Sequence, residues 1–152
     1  MIRFFQRGGA WVLAQGLLLM GVILLAVIFR GGGFGCLIVS AGVAMLLLGA
    51  GVAVAGTRAL GRNLTPFPKP KERAQLVRHG IYARIRHPLY TSVIAAALGW
   101  ALVWQSWPAL LVAAALIPFF DAKARREERW LREEFPESAE YEQRVRRFTP
   151  WL

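Results

Sequence analysis

Long uncharged runs alternate with short, strongly charged ones along this chain. Ala10 to Phe29 is twenty residues without a charge, bounded by Arg3 and Arg7 before it and Arg30 after it. At about 1.5 Å per residue, a helix of that length covers roughly 30 Å, the thickness of a bilayer's hydrocarbon core. The run ends in LLAVIFRGGG, without the small-x-small site of a cleaved signal peptide, and reads as a retained first span. The glycines Gly31, Gly32, Gly33 and Gly35 predict a turn, and Cys36 to about Ala55 predicts a second span. Small residues crowd that span: Ser40, Ala41, Gly42, Ala44, Gly49, Ala50, Gly51 and Ala53. They would let a neighbouring backbone approach closely, which is how helices associate in lipid.

From 58 to 88 the pattern reverses. Eight bases, Arg58, Arg62, Lys69, Lys71, Arg73, Arg78, Arg84 and Arg86, face one acid, Glu72, and a loop of this charge belongs on the cytoplasmic side. Three prolines in NLTPFPKP favour an irregular path suited to the wall or lid of a site. Leu89 to Phe120 is again uncharged, too long for one span and slightly short for two. Ser106 and Pro108 predict a helix start, since serine caps and proline is tolerated in the first turn. The third helix then ends near Trp104 and the fourth begins near Trp107. Beyond Asp121, Lys123, Glu127 and Leu131 share one face at helical spacing, so the fourth helix continues as an amphipathic extension. Pro136 interrupts it, and Tyr141, Val145 and Phe148 mark a second amphipathic segment.

The expected fold is therefore all-α. It is a single membrane domain, 1–152, with four spans at about 10–29, 36–55, 89–104 and 107–122. A loop at 58–88 and a helical tail at 123–152 lie with both termini on the cytoplasmic face. Composition agrees: 56% of the residues are hydrophobic. The net charge of +10 is concentrated beside apolar spans, where it meets anionic headgroups, so no nucleic-acid partner is expected. One cysteine, Cys36, supplies neither a disulfide nor a thiolate metal cluster, and no metal is expected.

Candidate chemistry concentrates in Leu76 to Tyr90, LVRHGIYARIRHPLY, which carries both histidines, His79 and His87, directly before an apolar run. That position suggests a site at a membrane face. With Gly80-Ile81-Tyr82, Arg86-His87-Pro88-Leu89-Tyr90, Glu127-Glu128 and the closing Tyr141, Arg144-Val145 and Pro150 in view, the chain resembles a group of integral-membrane methyltransferases. These are related to isoprenylcysteine carboxyl methyltransferase and to the phospholipid N-methyltransferases. The resemblance covers roughly the C-terminal half.

It implies a site for S-adenosylmethionine between loop and tail. The cofactor contacts of that family fall here on Ala74, Gln75, Leu76, Val77, Tyr82, His87, Pro88, Leu89, Tyr90 and Glu127. Lys123, where arginine is usual, falls on a substrate contact, the acceptor being lipid-like. Phe135-Pro136 replaces a common Phe-Gly. Glu127 and Glu128 are about 100° apart on a helix, so one of them is expected to face the site, and the resemblance selects Glu127.

Physical chemistry supports these roles less specifically. Methyl transfer from a sulfonium is an in-line displacement, so the protein must orient two reactants and exclude water, and no residue is assigned as a catalytic acid or base. Tyr82 and Tyr90 suit an adenine or a sulfonium, and Glu127 suits cofactor hydroxyl or ammonium groups. Each has a plainer rival. The glutamates fit a solvated mixed-charge face. Tyr82, Tyr90, Trp104, Trp107 and Trp130 fit an interfacial aromatic belt. His87 fits a turn cap, and His79 a structural role. Three classes stay open: a methyltransferase acting on a lipid-like acceptor, a nicotinamide-dependent membrane reductase related to the steroid reductases, and a non-enzymatic membrane scaffold.

Overall fold

A computed structural model describes residues 2–33, 35–69 and 75–148, with Ile2 and Arg3 as backbone only. Its helices are α1 (Ile2–Gln6), α2 (Gly9–Ile28), α3 (Cys36–Leu60), α4 (Pro88–Val103), α5 (Trp107–Glu134) and α6 (Ser138–Arg144). Short 3-10 turns occupy Gly61–Asn63 and Gly80–Ala83. Among the described residues the only extended pairing is one isolated parallel bridge between Ile85 and Arg146.

Three helical segments, Gly9–Ile28, Cys36–Asn63 and Trp107–Glu134, are long and apolar enough to cross a bilayer. The third helix of the expected four, α4, is apolar but has only 16 residues, about 24 Å of rise. Pro88 in its first turn and the left-handed Gln105 (φ 56°) just beyond its end bound it. Leu17, Leu37, Leu47, Leu48 and Leu111 are each at least 69% exposed on the outer faces of α2, α3 and α5. So much outward apolar surface suits a lipid solvent and not water.

Inside, alanine dominates. Ala26, Ala97, Ala101, Ala109 and Ala113 are buried around Leu116 and Phe120, which lets α2, α4 and α5 approach closely. The contact of α3 with α4 is closer still. A Cβ on Gly42 would lie 2.9 Å from the Gly99 carbonyl oxygen, and one on Gly99 2.6 Å from that of Gly42. Gly49 meets Ser92 and Gly56 meets Leu89 in the same way, so Gly42, Gly49 and Gly56, spaced seven apart, form the packing stripe. The wider set of small residues expected there divides: Ser40, Ala41, Ala44, Ala50 and Gly51 point outward.

The two ends of the bundle differ. At one, Ser106 caps α5 by accepting from the Ala109 amide and donates its hydroxyl to the Leu25 carbonyl, while the Gly31 amide reaches the Trp104 carbonyl. The α4–α5 hairpin turns there, between the residues anticipated from Ser106 and Pro108. At the other end the 61–69 loop, the segment leading into α4, the second half of α5 and the tail converge. Pro68 is buried there against Gly8 at the start of α2. The charged loop and the charged tail therefore lie at the same end, as a hairpin between them requires.

Candidate active site

Local sequence chemistry sets the frame at this charged end. Pro88 starts α4, which leaves His87 just outside it with its carbonyl accepting from the Tyr90 and Thr91 amides. The His87 side chain makes no cap and turns instead toward α5. The tail passes alongside: the Arg86 and His87 amides donate to the Arg146 and Arg147 carbonyls at 2.8 and 3.0 Å, and Thr91 donates its hydroxyl to the Phe148 carbonyl. Tyr141 anchors α6 by donating its phenol to the Tyr82 carbonyl at 2.6 Å. Across the loop, Asn63 and Gln75 exchange two bonds through the Asn63 amide group and the Gln75 backbone, each 3.3 Å.

These contacts enclose one cavity. Of the anticipated cofactor contacts, Gln75, Leu76, Val77, Tyr82, His87, Leu89, Tyr90 and Glu127 line it. Pro88 is buried behind it as the first residue of α4. Ala74 lies outside the described residues. Lys123 is not on the wall. Its ammonium, 1% exposed, donates to the Gln15 amide oxygen at 2.6 Å and the Pro66 carbonyl at 3.4 Å, and stands 5.1 Å from the Tyr90 ring centre. His79 is exposed, as a residue outside the chemistry would be.

Both glutamates reach the wall, in different ways. Glu127 is half-buried and accepts from the Tyr90 phenol at 2.5 Å, with its carboxylate 3.8 Å from His87 Nδ1. Glu128, 2% exposed, is the hub of a charge cluster. It accepts from His87 Nε2 at 3.1 Å and from Arg147 Nε and Nη2 at 3.1 and 2.7 Å, with Arg86 3.4 Å away. Arg147 also binds Asp121 at 2.6 Å. Its hydrogen bond to Glu128, foremost, holds its guanidinium above the usual range. The plain solvated-face reading of the pair is thereby excluded: neither carboxylate is spent on neighbouring surface charges.

The His87 imidazole is pinned on one edge by Glu128 and stacks on Tyr90 with ring planes 5° apart. Tyr90 stacks in turn on Phe120. With Glu128 held anionic between two guanidiniums, the Nε2 of His87 carries the proton, and Nδ1 is the edge turned to Glu127. Burial, and then the nearby Glu127, push the Tyr82 phenol well above its ordinary value, so it stays neutral and can only donate or accept a hydrogen bond. Tyr141 is pushed up to about 12 by burial, against the opposing influence of Arg86 and Arg78.

Four buried side-chain nitrogen or oxygen atoms have no hydrogen-bond partner among the described residues, and three of them belong to side chains on this wall: Arg86 Nε, Arg86 Nη1 and Ser138 Oγ. A profile of the phospholipid methyltransferase family matches residues 37–138, more than half of the chain and nearly all of the cavity wall. The chain belongs to the phospholipid methyltransferase family. It is also similar to the cobalt-zinc-cadmium resistance protein CzcN of Cupriavidus metallidurans, 38% identical over 78 residues, which is 51% of this chain and 36% of that protein. The chain thus matches little more than a third of that relative's length.

Membership makes this an integral-membrane protein of a methyltransferase family, in keeping with the apolar helices and with the resemblance carried by the Arg86-His87-Pro88-Leu89-Tyr90 and Glu127-Glu128 elements. Arg147 and Ser138 had no such signal. Neither belongs to a recognisable local pattern, and each gains its position only because the tail folds back along residues 85–87.

Proposed function

We propose that this protein transfers a methyl group from S-adenosylmethionine to a lipid-like acceptor at the cytoplasmic membrane face. The observation that supports it most is the cavity at the charged end of the bundle, walled by aromatic rings and by one carboxylate, Glu127, that no cation of the protein neutralises at hydrogen-bond distance among the described residues. The side chains fit the group implied by the family. Tyr82 offers an aromatic wall for adenine, Leu76, Val77 and Leu89 offer apolar walls, and Glu127, bonded to the Tyr90 phenol, offers an acceptor for hydroxyl or ammonium hydrogens.

The bound cofactor supplies an electrophilic methyl on a sulfonium, and the protein's part is orientation and exclusion of water. The stack of His87, Tyr90 and Phe120 holds one part of the wall in place, and α6, tied down by the Tyr141 bond to the Tyr82 carbonyl, adds Ser138, Tyr141 and Glu142 to it. The cofactor is charged and enters through the polar loop and tail, while the acceptor keeps its apolar part between helices. Lys123 lies behind the Tyr90 ring, so its contribution to the acceptor side is proposed to be electrostatic, through that ring.

Binding separates the classes. The purified chain in detergent is expected to bind S-adenosylhomocysteine and not the reduced nicotinamide dinucleotide; the opposite selectivity would support the reductase, and binding of neither the scaffold. Radiolabelled methyl transfer into lipid extract then identifies the acceptor.

A further inference from the structure

The wall of the cavity is not held equally all round. On the tail side it is fixed by backbone bonds and by the charge cluster around Glu128. On the loop side Thr65, Phe67 and Pro68 line it, and residues 65–69 make no backbone–backbone hydrogen bond among the described residues. Proline at 66 and 68 removes two of the donors that such pairing would need. The Phe67 amide donates within the loop, to the Thr65 hydroxyl, and the Lys123 ammonium reaches the Pro66 carbonyl at a long 3.4 Å.

Side chains from the start of the chain hold this stretch instead. The Phe67 ring meets Phe4 edge to face at 5.5 Å, and the Arg7 guanidinium stands 4.8 Å from its centre. Pro68 is buried against Gly8, where a Cβ would lie 2.7 Å from the proline ring and 3.4 Å from Trp130 of α5. Two glycines permit that approach. Gly8 is left-handed (φ 86°) and turns the chain between α1 and α2, and a Cβ on Gly9 would enter the space of the Phe4 ring.

We propose that residues 65–68 are the gate of the cavity and that Phe4, Arg7 and Gly8 are its latch. Apolar and cation–π contacts are each weak and impose no hydrogen-bond geometry. The stretch can therefore swing from Asn63, which stays bonded to Gln75, without breaking a backbone pair, and it belongs to the low-stability end of the fold. The latch touches Phe67 and Pro68 but contributes no residue to the cavity wall. It thus sets how often the cavity opens to water, not what the closed cavity binds. The inference needs the cavity and not a particular ligand, so it goes beyond the methyl-transfer reading.

Opening is measured without any ligand by the reactivity of a cysteine inside the cavity. Leu131, half-buried on the wall that α5 supplies, is replaced by cysteine in a Cys36→Ala background, and the full chain in detergent is treated with a small charged methanethiosulfonate. Phe4→Ala and Arg7→Gln are each expected to raise the labelling rate about three- to tenfold, the second carrying the test if the first fails to fold. Phe5→Ala, 52% exposed and with its ring meeting Phe4 but not the loop, is expected to stay within about twofold of the unaltered rate. Labelling through the gate depends little on low concentrations of urea, whereas labelling through general unfolding rises steeply with them. Rates unchanged by both latch variants, an equal rise with Phe5→Ala, or a steep urea dependence would overturn the gate. With S-adenosylhomocysteine as ligand, Arg7→Gln is expected to quicken association and dissociation together and to keep the affinity within about twofold. If the unaltered chain does not bind that nucleoside, the methyl-transfer reading falls, and the labelling rates still decide the gate.

Discussion

Exchanging Glu128 for glutamine strikes the hub of the charge cluster with the smallest change of shape. The carboxylate accepts from His87 and twice from Arg147, and the residue is only 2% exposed. An amide has one acceptor oxygen and one donor nitrogen, so wherever it turns, at least one arginine or histidine donor faces another donor. Breaking a buried pair by removing one partner costs about 3–5 kcal/mol, because the other charge stays in place. Two features put this site at the lower end. Arg147 is 26% exposed and can rehydrate, and it keeps its bond to Asp121. The expected loss is about 3 kcal/mol, which for a chain of this size lowers the thermal midpoint by about 6–12 °C. Tryptophan fluorescence melting in detergent measures it. Arg132→Gln serves as the control, since that arginine is 51% exposed and its pair with Glu142 is expected to contribute less than about 1 kcal/mol. If the two variants melted together, the cluster around Glu128 would not be holding the tail to the bundle.

Glu127→Gln is expected to act oppositely: a shift of the midpoint under about 3 °C, with S-adenosylhomocysteine binding weakened about ten- to a hundredfold, read by calorimetry. Gly99→Ala places a Cβ 2.6 Å from the Gly42 carbonyl and is expected to destabilise by about 1–3 kcal/mol, whereas Gly51→Ala, facing open space, stays neutral or gains slightly in the same melting assay. Tyr141→Phe removes the bond to the Tyr82 carbonyl, about 0.5–1.5 kcal/mol. The Tyr141 phenol titrates near 12 in the fold against an ordinary 10.0, so its contribution is complete below about pH 10 and is lost as pH rises toward 12; the decline of the midpoint over that window should be shallower in the variant. Lys123→Met leaves the Gln15 amide without its donor, and the double variant with Gln15→Leu should lose less stability than the two single losses combined.

The helices were legible because each boundary had a local cause. Arg30 and the glycines after it stop α2, and Ser106 with Pro108 starts α5. The helix expected at 89–104 likewise has local bounds, Pro88 at its start and the turn at Gln105 just past its end, which fix α4 at 16 residues. The small residues of α3 were read as a crowd, and only the seven-residue spacing of Gly42, Gly49 and Gly56 separates the packed face from the lipid face. The aromatic residues likewise divide. Trp107 is 65% exposed and fits an interfacial belt, whereas Tyr82 is buried and Tyr90 lies between two rings.

The site was legible where chemistry is adjacent in sequence and opaque where it depends on chain return. Glu128 appeared in the sequence as the redundant member of a pair, because helical spacing allows one glutamate to face a cavity from one direction. The tail removes that restriction. By running beside residues 85–87 it brings Arg147 to the flank of α5, and a carboxylate 100° away from Glu127 then meets partners from a different element. Lys123 makes the same point from the opposite side. Its place one turn before Glu127 suggested a headgroup contact, but α5 turns it toward α2, where Gln15, a single polar side chain in an uncharged run, meets it across 108 residues of sequence. The two glutamates and the lysine thus work from one helix against three surroundings: the cavity for Glu127, the tail for Glu128, and α2 with the proline-rich loop for Lys123. An amphipathic extension was the right description of α5 beyond the apolar run: Arg125, Arg129 and Glu133 stay exposed, while Lys123, Glu127 and Glu128 turn inward because this helix is the wall on which loop, tail and first long helix all close.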